Sequence, residues 1–198
     1  EEEGADSTFE IIAPEQNVEV NFVGAEFDYP RPVVLSGKLD TRVRNLRTGA
    51  RQFFETKTVA SLDDFAKGVH MNEQVYMYHL LEYLNILAER LDEAEHRTDG
   101  AIINLIKHSK RTSRAKPPFY KRLEVHHNKE ELRSFYLRTW GIVRTILAAE
   151  MRLMENEDPR VTVPPTPSRD CFWRCDFVHV CPLFDSNPEA AEQRLVDE

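Results

Sequence analysis

The sequence predicts an α/β fold, a mixed central sheet flanked by helices. Three observations predict it. Short strand-like segments separated by turns fill the first third of the chain. A long amphipathic helix and an apolar run too short for a helix come next, and then a second strand-and-helix unit. At 198 residues and 23.1 kDa the chain has room for one ordinary domain and hardly two. Hydrophobic residues make up 41% and charged residues 30%, which excludes a disordered or collagenous chain. No apolar run approaches the roughly 18 residues of a membrane span. Glu1-Glu2-Glu3-Gly4 has neither the basic nor the apolar region of a signal peptide. A cytoplasmic protein is expected, and the missing initiator methionine points to a fragment or a processed product.

The elements follow in order. Residues 1–16 read as a polar lead-in. Val18-Glu19-Val20-Asn21-Phe22-Val23 alternates apolar and polar, as a half-buried strand does. Pro30 and Pro32 interrupt, and Val33 opens a second strand running through Gly37-Lys38-Leu39-Asp40 toward Val43. Asn45 to Gly49 reads as a hairpin turn before a third strand, Arg51 to Val59, and together these form an antiparallel meander. Ser61, with Asp64 three residues on, caps a short helix. A longer helix is expected over Met71 to His96, with Val75, Tyr78, Leu81, Leu84, Leu87 and Leu91 on one face. Asp99-Gly100 reads as a turn and Ala101 to Ile106 as a buried strand. Lys107 to Pro118 is a basic loop and Phe119 to His127 another strand. Asn128 caps a helix to about Glu155, with Leu132, Phe135, Trp140, Val143, Ile146, Leu147 and Met151 in its core face. Four prolines mark residues 156–170 as a linker. The expected organisation is a core over 1–170, a cysteine segment over 171–184 and a polar tail over 185–198.

The first constellation is Asp40 with Glu55-Thr56-Lys57. A tight hairpin brings these strand positions side by side, and paired carboxylates suit a hard divalent ion such as Mg²⁺ or Mn²⁺. Lys57, two residues after Glu55, shares its strand face and can serve a metal-bound water or a developing phosphate charge. On spacing alone a solvated strand edge is the better reading, because acid-x-Lys is common. Gln74 and Tyr78, four residues apart, share one helix face. The second constellation is the cysteines. All three lie between Cys171 and Cys181, spaced x₃ and x₅, in a chain without a signal peptide. That argues against a disulfide framework and for metal ligands. An iron–sulfur cluster fits the thiolates, while zinc on three Cys and His179 is the rival and buried free thiols the plain alternative. The third feature is the basic residues Lys107, Lys110, Arg111, Arg114, Lys116, Lys121 and Arg122, with Phe119 and Tyr120 among them. In a chain of net charge −8 they could track phosphates while the aromatics stack on bases, or form a solvated loop. Arg42, Arg44, Arg47 and Arg51 could extend that surface. His96, His108, His126 and His127 read as surface residues.

Gly37-Lys38-Leu39-Asp40, a short hairpin, Glu55-Thr56-Lys57 and then Gln74-x-x-x-Tyr78 resemble the core of the PD-(D/E)XK nuclease superfamily and its RecB-family exonucleases. The run from Cys171 to Pro182 is similar to the C-terminal cysteine segment of the iron–sulfur members. Those members include subunits of recombination helicase–nucleases and the CRISPR-associated nucleases that trim spacers. The resemblance spans Val18 to Pro182. It implies a restriction-endonuclease-like sheet with a cysteine-bound C-terminal clasp, and metal-dependent hydrolysis of DNA at single-stranded ends. It further implies that Asp40, Glu55 and the Thr56 carbonyl hold Mg²⁺ or Mn²⁺, that Lys57 serves the attacking water, and that Gln74 and Tyr78 position substrate. Cys171, Cys175 and Cys181 would join one upstream cysteine in a [4Fe–4S] cluster. Family members place that cysteine and a metal-binding His before the first strand, whereas here the first His is His70 and the first Cys is Cys171. The chain is therefore expected either to lack its N-terminal part or to be a divergent member. DNA and a helicase or recombination partner are the implied partners. The competing reading is a non-catalytic DNA-binding or assembly module with a structural metal.

Overall fold

Five strands lie in one sheet in chain order: β1 (Phe9–Val23), β2 (Val33–Asn45), β3 (Arg51–Val59), β4 (Thr98–Lys107) and β5 (Tyr120–Val125). The structure, a computed structural model, describes residues 6–23, 32–88, 98–108 and 116–197. The β1–β2, β2–β3 and β4–β5 pairs are antiparallel, and β3–β4 is parallel. A parallel pair needs a crossover. The chain between β3 and β4 carries α1 (Leu62–Gly68) and α2 (Glu73–Ala88). The mixed sheet with flanking helices expected from the sequence is present.

Local chemistry explains where each element begins. The Ser61 hydroxyl accepts from the Asp64 amide at 3.3 Å and opens α1. Asn72 does the same for α2, its Oδ1 accepting from the amides of Gln74 at 3.0 Å and Val75 at 3.3 Å. The next helix, α3 (Lys129–Met154), starts from a reciprocal capping box. There the Glu131 amide donates to Asn128 Oδ1 at 3.0 Å and the Asn128 amide to Glu131 Oε2 at 2.7 Å. Ala101, Ile102, Ile103 and Leu105 of β4 are fully buried, as befits an interior strand whose apolar run is interrupted only at Asn104. Leu39, Phe53, Leu81 and Val125 form a core with Ala101, Ile103 and Leu105. Close packing needs Gly37: a Cβ there would come within 2.8 Å of Leu81 Cδ1 and 3.0 Å of Tyr78 Cε1.

The chain divides into two compact units, Glu1–Thr139 and Trp140–Glu198. The first holds the sheet, α1 and α2. The second holds the later part of α3 and four short helices. These are α4 (Pro159–Thr162), α5 (Cys171–Arg174), α6 (Cys181–Ser186) and α7 (Pro188–Asp197). α6 packs on α7, and Leu147, Val180 and Ala191 are buried in this unit.

Several expectations are corrected. The lead-in is strand from Phe9 onward. As β1 is an edge strand it tolerates Pro14, and Glu15 turns through a positive φ of 44°. Asp99 and Gly100 belong to β4. Gly100 has φ 93°, and a Cβ would lie 2.1 Å from the Val125 carbonyl oxygen, so only glycine lets β4 pass β5 here. The polar tail is largely α7, opened by Pro188 and anchored by buried Ala191. Leu87, Ile146 and Met151, expected in the core, are exposed. Leu91 and His96 lie outside the described residues. Among the described residues no helix is long and apolar enough to cross a membrane.

Candidate active site

Two rows of side chains meet between β3 and α2. Strand alternation puts Arg51, Phe53, Glu55 and Lys57 on the sheet face toward α2. On α2, Gln74, Tyr78 and Glu82 recur every four residues and so line one stripe. Lys57 Nζ donates to Gln74 Oε1 at 2.6 Å and pairs with Glu55 Oε1 at 2.5 Å. Gln74 Nε2 donates to Glu55 Oε1 at 3.3 Å and to the Tyr78 hydroxyl at 3.0 Å. The Tyr78 ring stands edge-on to Phe53, centroids 5.7 Å apart. At the far end of the stripe, Glu82 Oε1 takes Arg51 Nη1 at 3.4 Å and Arg42 Nη2 at 2.5 Å.

Glu55 is only 4% exposed. Its Oε1 is satisfied by Lys57 and Gln74, but Oε2 is buried with no hydrogen-bond partner among the described residues. An unpartnered buried polar atom costs on the order of 1–3 kcal/mol, more when charged, so this oxygen is placed at a cost to the fold. Asp40 is exposed, and its Oδ2 accepts from the Thr56 amide at 3.4 Å. The β2–β3 ladder ends at the Thr41–Phe54 pair, and Asp40 and Glu55 are the next residues of the two strands beyond it. The sequence-predicted residues Asp40, Glu55, Thr56, Lys57, Gln74 and Tyr78 therefore gather at one end of the β2–β3 hairpin. Their donors toward a metal are all oxygens, one of them unpartnered, which fits a hard divalent cation.

Two of the four arginines of the first hairpin behave otherwise than expected. Arg42 is buried, giving Nη1 to Gln16 Oε1 at 2.7 Å and Nη2 to Glu82, so it is not part of a basic surface. Arg51 also points inward to Glu82, its side chain being 13% exposed. Arg47 is exposed. In the basic stretch Lys107 is half-buried and Lys116 exposed, while Lys110, Arg111 and Arg114 lie outside the described residues. Lys121 pairs with Asp63 at 3.4 Å, and Arg122 donates to Asn104 at 2.8 Å beneath Phe54. Phe119 and Tyr120 are exposed.

His127, read as a surface residue, is buried. Its ring stacks on Tyr76 at 3.7 Å, and its Nδ1 lies 3.4 Å from that of fully buried His79. Burial holds His79 down to a pKa of about 3, with the neighbouring histidines adding to the shift. Sequence reasoning missed this pair and missed Glu82. A lone His in an apolar helix gives no signal, but Glu82 was detectable as the third member of the 74-78-82 stripe.

The cysteines belong to the second unit and are each half-buried and free. The Cys171 sulfur accepts from the Ser168 amide at 3.3 Å, which lowers its pKa, and contact with the Ser168 hydroxyl adds to the effect. Phe172, Trp173 and Phe177 of the same segment are exposed, and Arg174 lies over the Trp173 ring. Among the described residues no group of three or more His, Cys, Asp or Glu side chains is placed to hold a metal ion. Cys171, Cys175, Cys181 and His179 thus do not form a closed site as they stand, and the clasp rests on ligand type and spacing. No protein-family model matches the chain, and no curated protein matches it.

Proposed function

We propose that the chain is a metal-dependent deoxyribonuclease domain of the PD-(D/E)XK kind, acting on single-stranded DNA ends. The observation that carries this reading is Glu55: a buried carboxylate with one oxygen held by Lys57 and Gln74 and the other unpartnered. What sets this orphaned oxygen apart from the one on Glu82 is its company: a second carboxylate, Asp40, on the Thr56 amide, and a lysine beside it, the donor types a hard divalent ion and a phosphate require. Asp40, Glu55 and the Thr56 carbonyl would hold Mg²⁺ or Mn²⁺. When bound, such an ion polarises the phosphate and makes its water a nucleophile near neutral pH. Lys57 has three N–H groups, of which Glu55 and Gln74 engage two. The third is available to a phosphate oxygen, where the ammonium stabilises charge that builds in the transition state. Gln74, itself held by Tyr78, fixes the lysine so that no reorganisation is needed when that charge appears. Exposed Phe119 and, three residues before it, exposed Lys116 offer a stacking and a phosphate contact to a single strand, whereas Tyr120 turns its hydroxyl to Asn104 on the other face of the sheet.

The three cysteines are read as ligands of a [4Fe–4S] cluster completed from elsewhere, with zinc as the alternative metal. The testing experiment is cleavage of end-labelled single-stranded DNA with Mn²⁺ and with EDTA. Binding without cleavage would favour the non-catalytic DNA-binding module.

A further inference from the structure

We infer that Glu82 is a positioning residue: clamped by Arg42 and Arg51, it sets the axial and rotational placement of α2 that brings Gln74 onto Lys57. The inference rests on the proposed reaction for its consequence in catalysis, though not for its geometry.

Glu82 lies two helical turns beyond Gln74, about 12 Å along the axis at 1.5 Å per residue. The pairing along the seam is ordered. Glu82 meets Arg51, Tyr78 meets Phe53, and Gln74 meets Glu55 and Lys57. Successive positions on one stripe of the helix thus face alternate positions of one strand. A helix resting on a sheet through apolar contacts alone can slide and roll, because such contacts are non-directional. Here two guanidinium groups grip one carboxylate oxygen, at 2.5 Å from Arg42 and 3.4 Å from Arg51. Each guanidinium gives one N–H to that oxygen, and the two donors approach it from different strands, which fixes its position in the sheet. Arg42 also reaches Gln16 on β1, so the grip joins β1, β2, β3 and α2. Gly37 leaves room for Tyr78 and Leu81 to settle at the depth this grip demands.

A buried ion pair is a weak source of stability, since desolvation of both charges offsets their attraction. Glu82 is 3% exposed, and Oε2 accepts no hydrogen bond among the described residues. The grip is better explained by the placement it enforces. At the other end of the helix, misplacing catalytic groups by about 1 Å can cost a hundredfold in rate.

The test uses the whole chain with three readouts on Glu82→Gln, which keeps the shape and loses the charge. With Mn²⁺ and single-stranded DNA, kcat should fall at least tenfold while KM stays within twofold. Adding Gln74→Ala to Glu82→Gln should lower kcat little further, although Gln74→Ala alone should cost about tenfold, because both changes break one arrangement. The side-chain amide resonance of Gln74, assigned by its disappearance in Gln74→Ala, should move toward the free-glutamine position in Glu82→Gln. Glu82→Asp, which keeps the charge, should restore part of the rate. Wild-type kcat in Glu82→Gln, fully additive losses with Gln74→Ala, or an unmoved amide resonance would each overturn the inference. If the unsubstituted chain does not cleave DNA, the nuclease reading fails and the amide resonance alone decides the role of Glu82. Should Glu82→Gln not fold, Arg42→Lys weakens the same grip while keeping the charge, and the same readouts apply.

Discussion

At Glu55 a carboxylate sits out of water with one oxygen paired to Lys57 and the other unpartnered, so Glu55→Gln removes charge without removing volume. Metal-dependent cleavage should drop by more than a hundredfold while the thermal midpoint changes by only a few degrees, as kinetics and a melting curve on the same sample will show. Lys57→Ala should lower turnover far more than DNA affinity if, as proposed, its third N–H acts on charge that appears only in the transition state. Equal losses in both would make Lys57 a ground-state phosphate anchor. Gly37→Ala presses a methyl group toward Leu81 and Tyr78 and should destabilise the fold by about 1–3 kcal/mol in urea titrations. The residues of this site were legible because their types are chemically unusual at their spacing. Acid-x-Lys on a strand and Gln-x-x-x-Tyr on a helix each put two functional groups on one face. Glu82, His79 and His127 were not legible in the same way. Their meaning lies in partners that are distant in sequence: Arg42 is forty residues from Glu82, and His127 forty-eight from His79.

The same contrast holds for elements. β3 spans Arg51–Val59 as read from the sequence, because the Asn45–Gly49 turn and Ser61 punctuate both its ends. β4 was legible from its apolar run and α3 from Asn128. β1 was misread at its start because Ala13-Pro14-Glu15 looks like a break, and only an edge position lets a strand continue through it. α7 was misread because one buried alanine is too little signal to mark an amphipathic helix. Packing around α2 has a consequence in pH. His79 on α2 titrates at about 3 in the folded chain, against 6.5 for a free imidazole. The unfolded chain therefore takes the proton first. Its contribution to stability is intact above pH 6.5 and is lost as the pH falls toward 3. The slope is about 1.4 kcal/mol per pH unit for the one proton. His127 is also lowered, mainly by burial, and adds in the same direction, opposed in part by Glu131. Urea midpoints between pH 4 and 7 should fall steeply for the unsubstituted chain and less steeply for His79→Phe. Parallel curves for the two would remove His79 from the explanation.

For the molecule as a whole, the sheet-and-helix unit carries the proposed chemistry and the second unit carries the cysteines. If Cys171, Cys175 and Cys181 hold a [4Fe–4S] cluster, protein purified without oxygen should show a broad visible absorbance band and contain iron, both abolished in Cys175→Ala. Stoichiometric zinc without that band would assign the site to zinc with His179. The net charge of −8 makes any DNA contact local, so binding should weaken steeply with salt. The most direct measurement is digestion of end-labelled single-stranded DNA by the whole chain, run with Mn²⁺, with EDTA, and with Glu55→Gln in Mn²⁺. Shortened products should form only in the unsubstituted protein with Mn²⁺. Intact DNA in that reaction, or equal digestion in EDTA or by Glu55→Gln, would contradict a metal-dependent nuclease site built on Glu55, Lys57 and Gln74.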